Sequence, residues 1–157
     1  MHLLFVCLGN ICRSPTAEGV MADLVERGGL AGEITVDSAG TGSWHVGGPA
    51  DERATAAAAR RGIALTSRAR QVTVDDFAIA DLIVAMDGRN AEDLRALAPD
   101  DAGRAKVRLL RSFDPGTPAE DQDVPDPYTG GPEGFELVLD QVAAGCEGLL
   151  AEVRRPA

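Results

Sequence analysis

Lysine is almost missing from this chain: Lys106 stands alone against fourteen arginines. With no Gly-Lys-Ser/Thr triplet anywhere, a nucleotide-binding phosphate loop of that kind is excluded. Cysteine is scarce too. Three cysteines, an odd number, cannot make the disulfide framework of a small secreted protein, so a reducing cytoplasm is the expected location. The two histidines, His2 and His45, and the scattered cysteines show no metal-ligand spacing, so neither a metal nor another cofactor is expected. No stretch approaches the ~20 apolar residues of a membrane span. The opening residues hold only the short run "HLLFV", with no charged leader and no small-residue cleavage site. Positive charge is in deficit: 15 basic against 25 acidic residues leave a formal net charge of −10. That balance argues against nucleic acid and anionic membranes as partners, while a local basic site stays open.

What is present is enough for one core. Apolar residues make up 45% of 157, consistent with a single domain over 1–157. No repeat and no linker interrupts it. Strand-like and helix-like stretches alternate. "LLFVCL" (3–8) is continuous and apolar, like a strand buried on both faces. Residues 15–28 read as a helix, with Ser14 as N-cap candidate and Pro15 in the first turn. Strands follow at 33–40, 80–87 and 105–113, and helices at 50–62, 88–98 and 134–153. This order predicts an α/β fold with a parallel sheet and right-handed crossovers. Residues 114–132 form a Pro/Gly/Asp-rich loop of 19 residues, longer than a compact domain keeps without a function.

The chemistry concentrates in "CLGNICRSP" (7–15), between the first strand and the first helix. In open parallel sheets ligands bind at the carboxyl ends of strands. A loop entering a helix there can turn successive amides toward one anion. Gly9 permits positive φ, and Asn10 tolerates it better than most residues. Arg13 lies six residues after Cys7, close enough in a curled loop to clamp two phosphate oxygens. The same positive potential favours a Cys7 thiolate, a phosphoryl-accepting nucleophile. The alternative for Cys7 is a small buried hydrophobe at a strand end. The strand before, the helix after, the glycine within and the serine after Arg13 favour the nucleophile. Cys7 and Cys12 are five apart, so no redox Cys-x-x-Cys exists.

"VCLGNICRSPTAE" resembles the low-molecular-weight protein tyrosine phosphatases, whose signature is Cys-x5-Arg-Ser/Thr near the N-terminus. "DSAGTGSWHVGGPADERA" (37–54), "ADLIVAMD" (80–87), "RLLRSFDP" (108–115) and "DVPDPYTG" (123–130) follow in family order. The resemblance implies a four-stranded parallel sheet with helices on both faces. The phosphate-binding loop would lie between the first strand and first helix. It also implies hydrolysis of phosphotyrosine in proteins, or of aryl phosphates generally, through a cysteinyl-phosphate.

In that scheme Leu8, Gly9, Asn10, Ile11, Cys12 and Ser14 cradle the phosphate with Arg13, and Cys7 attacks it. Asp126 of Asp-Pro-Tyr protonates the leaving phenol, as a carboxylic acid over the pocket can. Asp121 and Asp123 are its neighbouring competitors. Ser14 donates to the Cys7 sulfur. Asn10 props the loop through Ser38, and Asp87 pairs with Arg13 or caps the next helix. Trp44 and Tyr128 wall a slot for the phenyl ring; a lone Trp is more often core, but Trp44 sits in a polar glycine-rich loop. Cys12 matches a resolving cysteine that would protect oxidised Cys7.

Two departures stand out. Ser67 replaces a frequent histidine and is expected to shorten the His–Ser–Asn network, and Thr129 replaces a second aromatic, thinning the slot and removing a phosphorylation site. Three rival readings share the loop. An arsenate reductase adds a downstream cysteine pair, whereas only Cys146 follows here. A phosphopeptide-binding module would bind without turnover. A redox sensor would use Cys7 and Cys12 alone.

Overall fold

β1 (His2–Cys7), β2 (Thr35–Gly40), β3 (Leu82–Ala85) and β4 (Val107–Leu109) form one parallel sheet in the order β2-β1-β3-β4. The structure is a computed structural model and describes residues 1–154. Six helices accompany the sheet: α1 (Arg13–Arg27), α2 (Glu52–Ala59), α3 (Asp76–Ile79), α4 (Gly88–Leu97), α5 (Asp101–Ala105) and α6 (Pro132–Val153).

β1 explains the layering. Its side chains alternate between faces. Leu3, Phe5 and Cys7 join the core containing Met21 of α1 and Leu149 of α6. Leu4 and Val6 join the opposite core, with Phe77 of α3 and Leu94 of α4. Helices therefore cover both faces, as expected. Each fully buried Leu or Phe contributes about 1.5–3 kcal/mol, so the strand that ends in Cys7 is firmly held.

The strand order reverses at β1, which sends the chain to β2 on one side and has β3 on the other. The crevice between the carboxyl ends of β1 and β3 is where such a sheet takes a ligand. Register puts Val6 beside Ala85, and the Met86 N–H donates to the Val6 carbonyl at 3.1 Å. Cys7 and Asp87, far apart in sequence, thus emerge at the same crevice.

Three local expectations are corrected. Only 107–109 of the expected 105–113 strand is strand; Leu110–Phe113 closes into a 3-10 turn. Leu110 and Phe113, three residues apart, both pack against α6, and the turn approaches so closely that a Cβ on Gly148 would fall 1.9 Å from the Phe113 carbonyl oxygen. Ser14 is not the cap of α1. That position belongs to Cys12, without a side-chain cap, and Ser14 lies buried in the first turn. The short helix α3 and all of α5 but Ala105, expected to begin the fourth strand, lie in stretches to which the sequence assigned no element. The long loop is irregular as far as Gly131, where Pro132 opens α6.

Candidate active site

The loop after β1 curls tightly. Gly40, paired with Cys7 on the neighbouring strand, permits this: a Cβ there would meet the Leu8 carbonyl oxygen at 2.7 Å and the Asn10 nitrogen at 3.1 Å. The positive φ falls on Asn10, at 56°, rather than on Gly9. The Asn10 N–H points inward and donates to Cys7 Sγ at 3.3 Å. Among the described residues, the N–H groups of Gly9, Ile11 and Cys12 have no acceptor within the protein. The first amides of α1 have none in their own helix either. The loop is therefore an amide-lined cup with a thiol in its floor.

A chain of hydrogen bonds fixes that floor. Arg70 N–H donates to Asn10 Oδ1 at 3.0 Å, which sets the amide's orientation. Asn10 Nδ2 then donates to Ser14 Oγ at 2.8 Å and to Ser38 Oγ at 2.9 Å. Ser38 passes its own hydrogen to Glu18 Oε1 at 2.5 Å. Ser14 Oγ, already an acceptor, lies 3.0 Å from Cys7 Sγ and donates at longer range, 3.4 Å, to the Ala39 carbonyl, so its hydrogen is in reach of the sulfur. The network expected to shorten at Ser67 is instead closed by Glu18 and the Arg70 backbone. Arg70 is anchored in turn by Asp76 and Asp37. The hydrogen bond it donates to Asp76, helped by the one to Asp37, raises its pKa more than burial lowers it.

Arg13 is almost wholly buried, at 3% side-chain exposure. Its Nη1 donates to Asp87 Oδ2 at 2.6 Å and to the Val124 carbonyl at 2.9 Å. Its Nη2 faces Asp126 Oδ2 at 3.7 Å. Burial pulls its pKa down, but Cys7, the Asp87 hydrogen bond and the charges of Asp87 and Asp126 outweigh it, so the pKa is raised. Asp87 does both things expected of it: its other oxygen accepts from Asn90 N–H at 2.8 Å and caps α4.

These groups open into a cavity of about 240 Å³ lined by Cys7, Leu8, Gly9, Ile11, Cys12, Arg13, Trp44, His45, Asp126 and Tyr128. Trp44 is 73% exposed, a wall rather than core. Its ring lies over Gly42, where a Cβ would come within 1.9 Å of it. Asp126 is the loop carboxylate that reaches the cavity. Asp123 is occupied by the Gly88 N–H at 2.9 Å, and Asp121 lies 3.6 Å from Arg111. Cys12 stays a thiol: burial first, then Asp51, Cys7 and Asp126, push its pKa up to about 12. Cys146 is fully buried in α6, and burial raises its pKa as well. No group of three His, Cys, Asp or Glu among the described residues could hold a metal ion.

Of the residues singled out in the sequence, Cys7, Leu8, Gly9, Ile11, Cys12, Arg13, Trp44, Asp126 and Tyr128 line the cavity, while Asn10, Ser14, Ser38 and Asp87 stand behind it, bonded to the loop or to Arg13. Sequence reading missed His45, which lines the cavity with its ring 6.3 Å from that of Tyr128. It missed Glu18 and Arg70, and also Arg53, whose Nη2 donates to the Tyr128 carbonyl at 2.9 Å. Glu18 carried one available signal, lying four residues after Ser14 on the same helical face.

A parallel sheet that gathers unpaired amides, a thiol and a buried arginine at its switch point is an α/β fold laid out to receive an anion there. The comparisons narrow the class. The chain matches the family described as low molecular weight phosphotyrosine protein phosphatase over residues 2–157, and it belongs to that family. It is 52% identical to a low molecular weight protein-tyrosine-phosphatase of Streptomyces coelicolor, over 98% of this chain and 93% of that one. A crystal structure of a protein tyrosine phosphatase from Entamoeba histolytica superposes with a TM-score of 0.93 at 40% identity, covering 98% of this chain and 96% of that one. A Drosophila arginine phosphatase structure superposes with a TM-score of 0.92 at 33% identity, covering 100% of both chains.

Proposed function

We propose that the chain is one phosphatase domain that hydrolyses phosphotyrosine in proteins, and aryl phosphates generally, through a Cys7 phosphoryl-enzyme. The observation that carries this is the meeting of Cys7, Arg13 and Asp126 in one aromatic-walled cavity. The loop amides and Arg13 hold the phosphate. Cys7 Sγ attacks phosphorus in line, the S–P bond forms, and the P–O bond to the phenol breaks as Asp126 gives it a proton. Asp126, now ionised, takes a proton from water as that water attacks phosphorus. The S–P bond breaks, phosphate leaves, and Ser14 stabilises the returning Cys7 thiolate. Positioning and charge stabilisation supply the acceleration.

The arginine phosphatase neighbour has the same fold, so fold alone does not choose the leaving group. The walls support an aryl group: Ile11, Trp44 and Tyr128 offer apolar faces to a flat ring. The arsenate-reductase reading has only Cys146 for its downstream pair, and that thiol is buried. We place the protein in the cytoplasm, where Cys12 would act as resolving thiol for oxidised Cys7.

Phosphate release from an aryl phosphate with EDTA present tests the reading. Steady release that fails in Cys7→Ser is expected. Binding of inorganic phosphate without release would make the chain a binding module. Phosphoserine peptides cleaved as fast as phosphotyrosine peptides would end the aromatic-slot account.

A further inference from the structure

The proton donor sits on an exposed, irregular loop, and a donor must be held within a fraction of an ångström to act. Upstream of Asp126 the loop is fixed two residues away, where buried Val124 donates its N–H to the Met86 carbonyl at 2.8 Å. Downstream there is far less. Among the described residues, the segment from Asp126 to Gly130 makes one hydrogen bond to another part of the chain, from Arg53 Nη2 to the Tyr128 carbonyl at 2.9 Å. The same Tyr128 donates its N–H to Asp126 Oδ1 at 3.1 Å. Arg53 thus grips the residue whose amide grips the donor.

The other end of Arg53 is tied to the cradle. Its Nε and Nη2 donate to the two carboxylate oxygens of Asp51 at 3.2 and 3.0 Å. Asp51 donates its N–H to the Ile11 carbonyl of the phosphate loop at 2.8 Å. The hydrogen bonds from Arg53 hold the Asp51 carboxylate below the usual range. The guanidinium carbon also lies 4.8 Å from the Phe135 ring centroid and 5.5 Å from that of Tyr128. Five fixed donors on a plane let one side chain bridge Asp51 and Tyr128 while lying against both rings; a lysine ammonium cannot.

We propose that Arg53 is a positioning residue for the proton donor, setting the Asp126 carboxylate over the cavity by bridging the phosphate loop to Tyr128. The proposal rests on the role given to Asp126 above. The competing account makes Arg53 an exposed ion-pair partner at the start of α2, a role worth little.

The test is the rate on aryl phosphates whose leaving phenols span a range of pKa, for wild type, Arg53→Ala, Arg53→Lys and Asp126→Asn. Arg53→Ala is expected to lose on the order of 10²-fold on poor leaving groups, the cost of a small misplacement, and a few-fold at most on p-nitrophenyl phosphate. Arg53→Lys should recover little. Added to Asp126→Asn, Arg53→Ala should cost almost nothing more, because both act through one proton. Equal losses on good and poor leaving groups, full recovery by lysine, or additive losses in the double variant would overturn the proposal. Arg53→Met, which keeps the apolar stem over Phe135, gives the same reading if the alanine variant folds poorly. If Asp126→Asn itself shows no leaving-group dependence, the donor assignment falls and this proposal with it. Dependence in Asp126→Asn but not in the Arg53 variants removes Arg53 alone.

Discussion

Residues 7–14 and residues 121–131 face each other across one cavity, and they are held in opposite ways. The phosphate loop is secured from within: Asn10, Arg13 and Ser14 are buried, and Asn10 joins Ser14, Ser38 and Arg70 through its own side chain. The acid loop is secured from outside, by Arg53 on Tyr128, Arg111 on the Asp123 carbonyl and Arg13 on the Val124 carbonyl. The side chains that it turns to the cavity are about half exposed, 46% for Asp126 and 47% for Tyr128. A cradle for developing negative charge works best when its dipoles are already in place. A loop that admits and releases a substrate belongs to the less stable part of a structure. Damage to the first should cost every substrate and the fold itself. Damage to the second should cost rate selectively.

The sharpest break in the comparison is at Cys7. Cys7→Ser should abolish turnover on every substrate, yet leave the affinity for inorganic phosphate within a few-fold of wild type, because the amides and Arg13 remain. Phosphate titration alongside an activity assay checks both halves. Substantial hydrolysis by that variant would remove Cys7 as the nucleophile. Across the cavity, Asp126→Asn should slow poor leaving groups by roughly 10²–10⁴, the usual worth of general acid catalysis, and good ones much less. A larger effect at Asp123 would move the donor assignment, although Asp123 is engaged by the Gly88 N–H.

Asn10 tests the cradle's inner support. Asn10→Ala leaves Ser14, Ser38 and the Arg70 N–H short of a partner and puts alanine, which tolerates the left-handed region less well than asparagine, at φ 56°. Each buried polar group so stranded costs about 1–3 kcal/mol, and the strained backbone adds about 1 kcal/mol more. At about 2–4 °C per kcal/mol for a chain of this size, a fall in Tm of at least about 8 °C is expected. Asn10→Gly removes the hydrogen bonds but not the backbone fit, so it should fall less far. An unchanged Tm in Asn10→Ala would mean that the network contributes nothing. Trp44→Ala makes the opposite test on an exposed wall. It should shift stability by no more than about 0.5 kcal/mol, while raising KM for aryl phosphates by roughly 3–10-fold, the worth of one aromatic contact. Small alkyl phosphates should be unaffected.

The same contrast decides what the amino-acid sequence reveals. Cys7, Arg13 and Ser14 are legible because they belong to one strand-to-helix turn, and eight residues are enough to state their geometry. β1 is legible because a strand buried on both faces must be continuously apolar. Trp44 stands out because a glycine-rich polar loop has no core to put it in. The acid loop's supports are hidden. Arg13 meets the Val124 carbonyl across 111 residues, and Arg53 meets the Tyr128 carbonyl across 75. A backbone carbonyl leaves no mark on residue type. Leu110 and Phe113 misled for another reason: a short apolar run reads equally as strand or as a 3-10 turn until the packing of α6 decides.

The smallest expected effect concerns Cys12, which lines the same cavity as Cys7. In reducing buffer Cys12→Ser should change kcat little, since the loop contributes its amide there. Peroxide separates the variants. The Cys7 thiolate takes one oxygen to become a sulfenic acid, releasing hydroxide. The Cys12 thiolate then attacks Cys7 sulfur, the S–S bond forms as the S–O bond breaks, and the sulfenic hydroxyl leaves as hydroxide that picks up a proton from solvent. Wild type should recover with dithiothreitol, and Cys12→Ser should not, because its sulfenic acid proceeds to the sulfinic state. The attacking form is the Cys12 thiolate, and burial among Asp51, Cys7 and Asp126 pushes that pKa up to about 12. Below this value the thiolate fraction grows about tenfold per pH unit. Closure after a stoichiometric peroxide pulse should therefore accelerate steadily from pH 7 to pH 9, measured by trapping the remaining sulfenic acid with a dimedone reagent. A closure rate flat in pH would mean that the buried thiol is not the attacking group, and equal recovery of wild type and Cys12→Ser would remove Cys12 from the protection altogether.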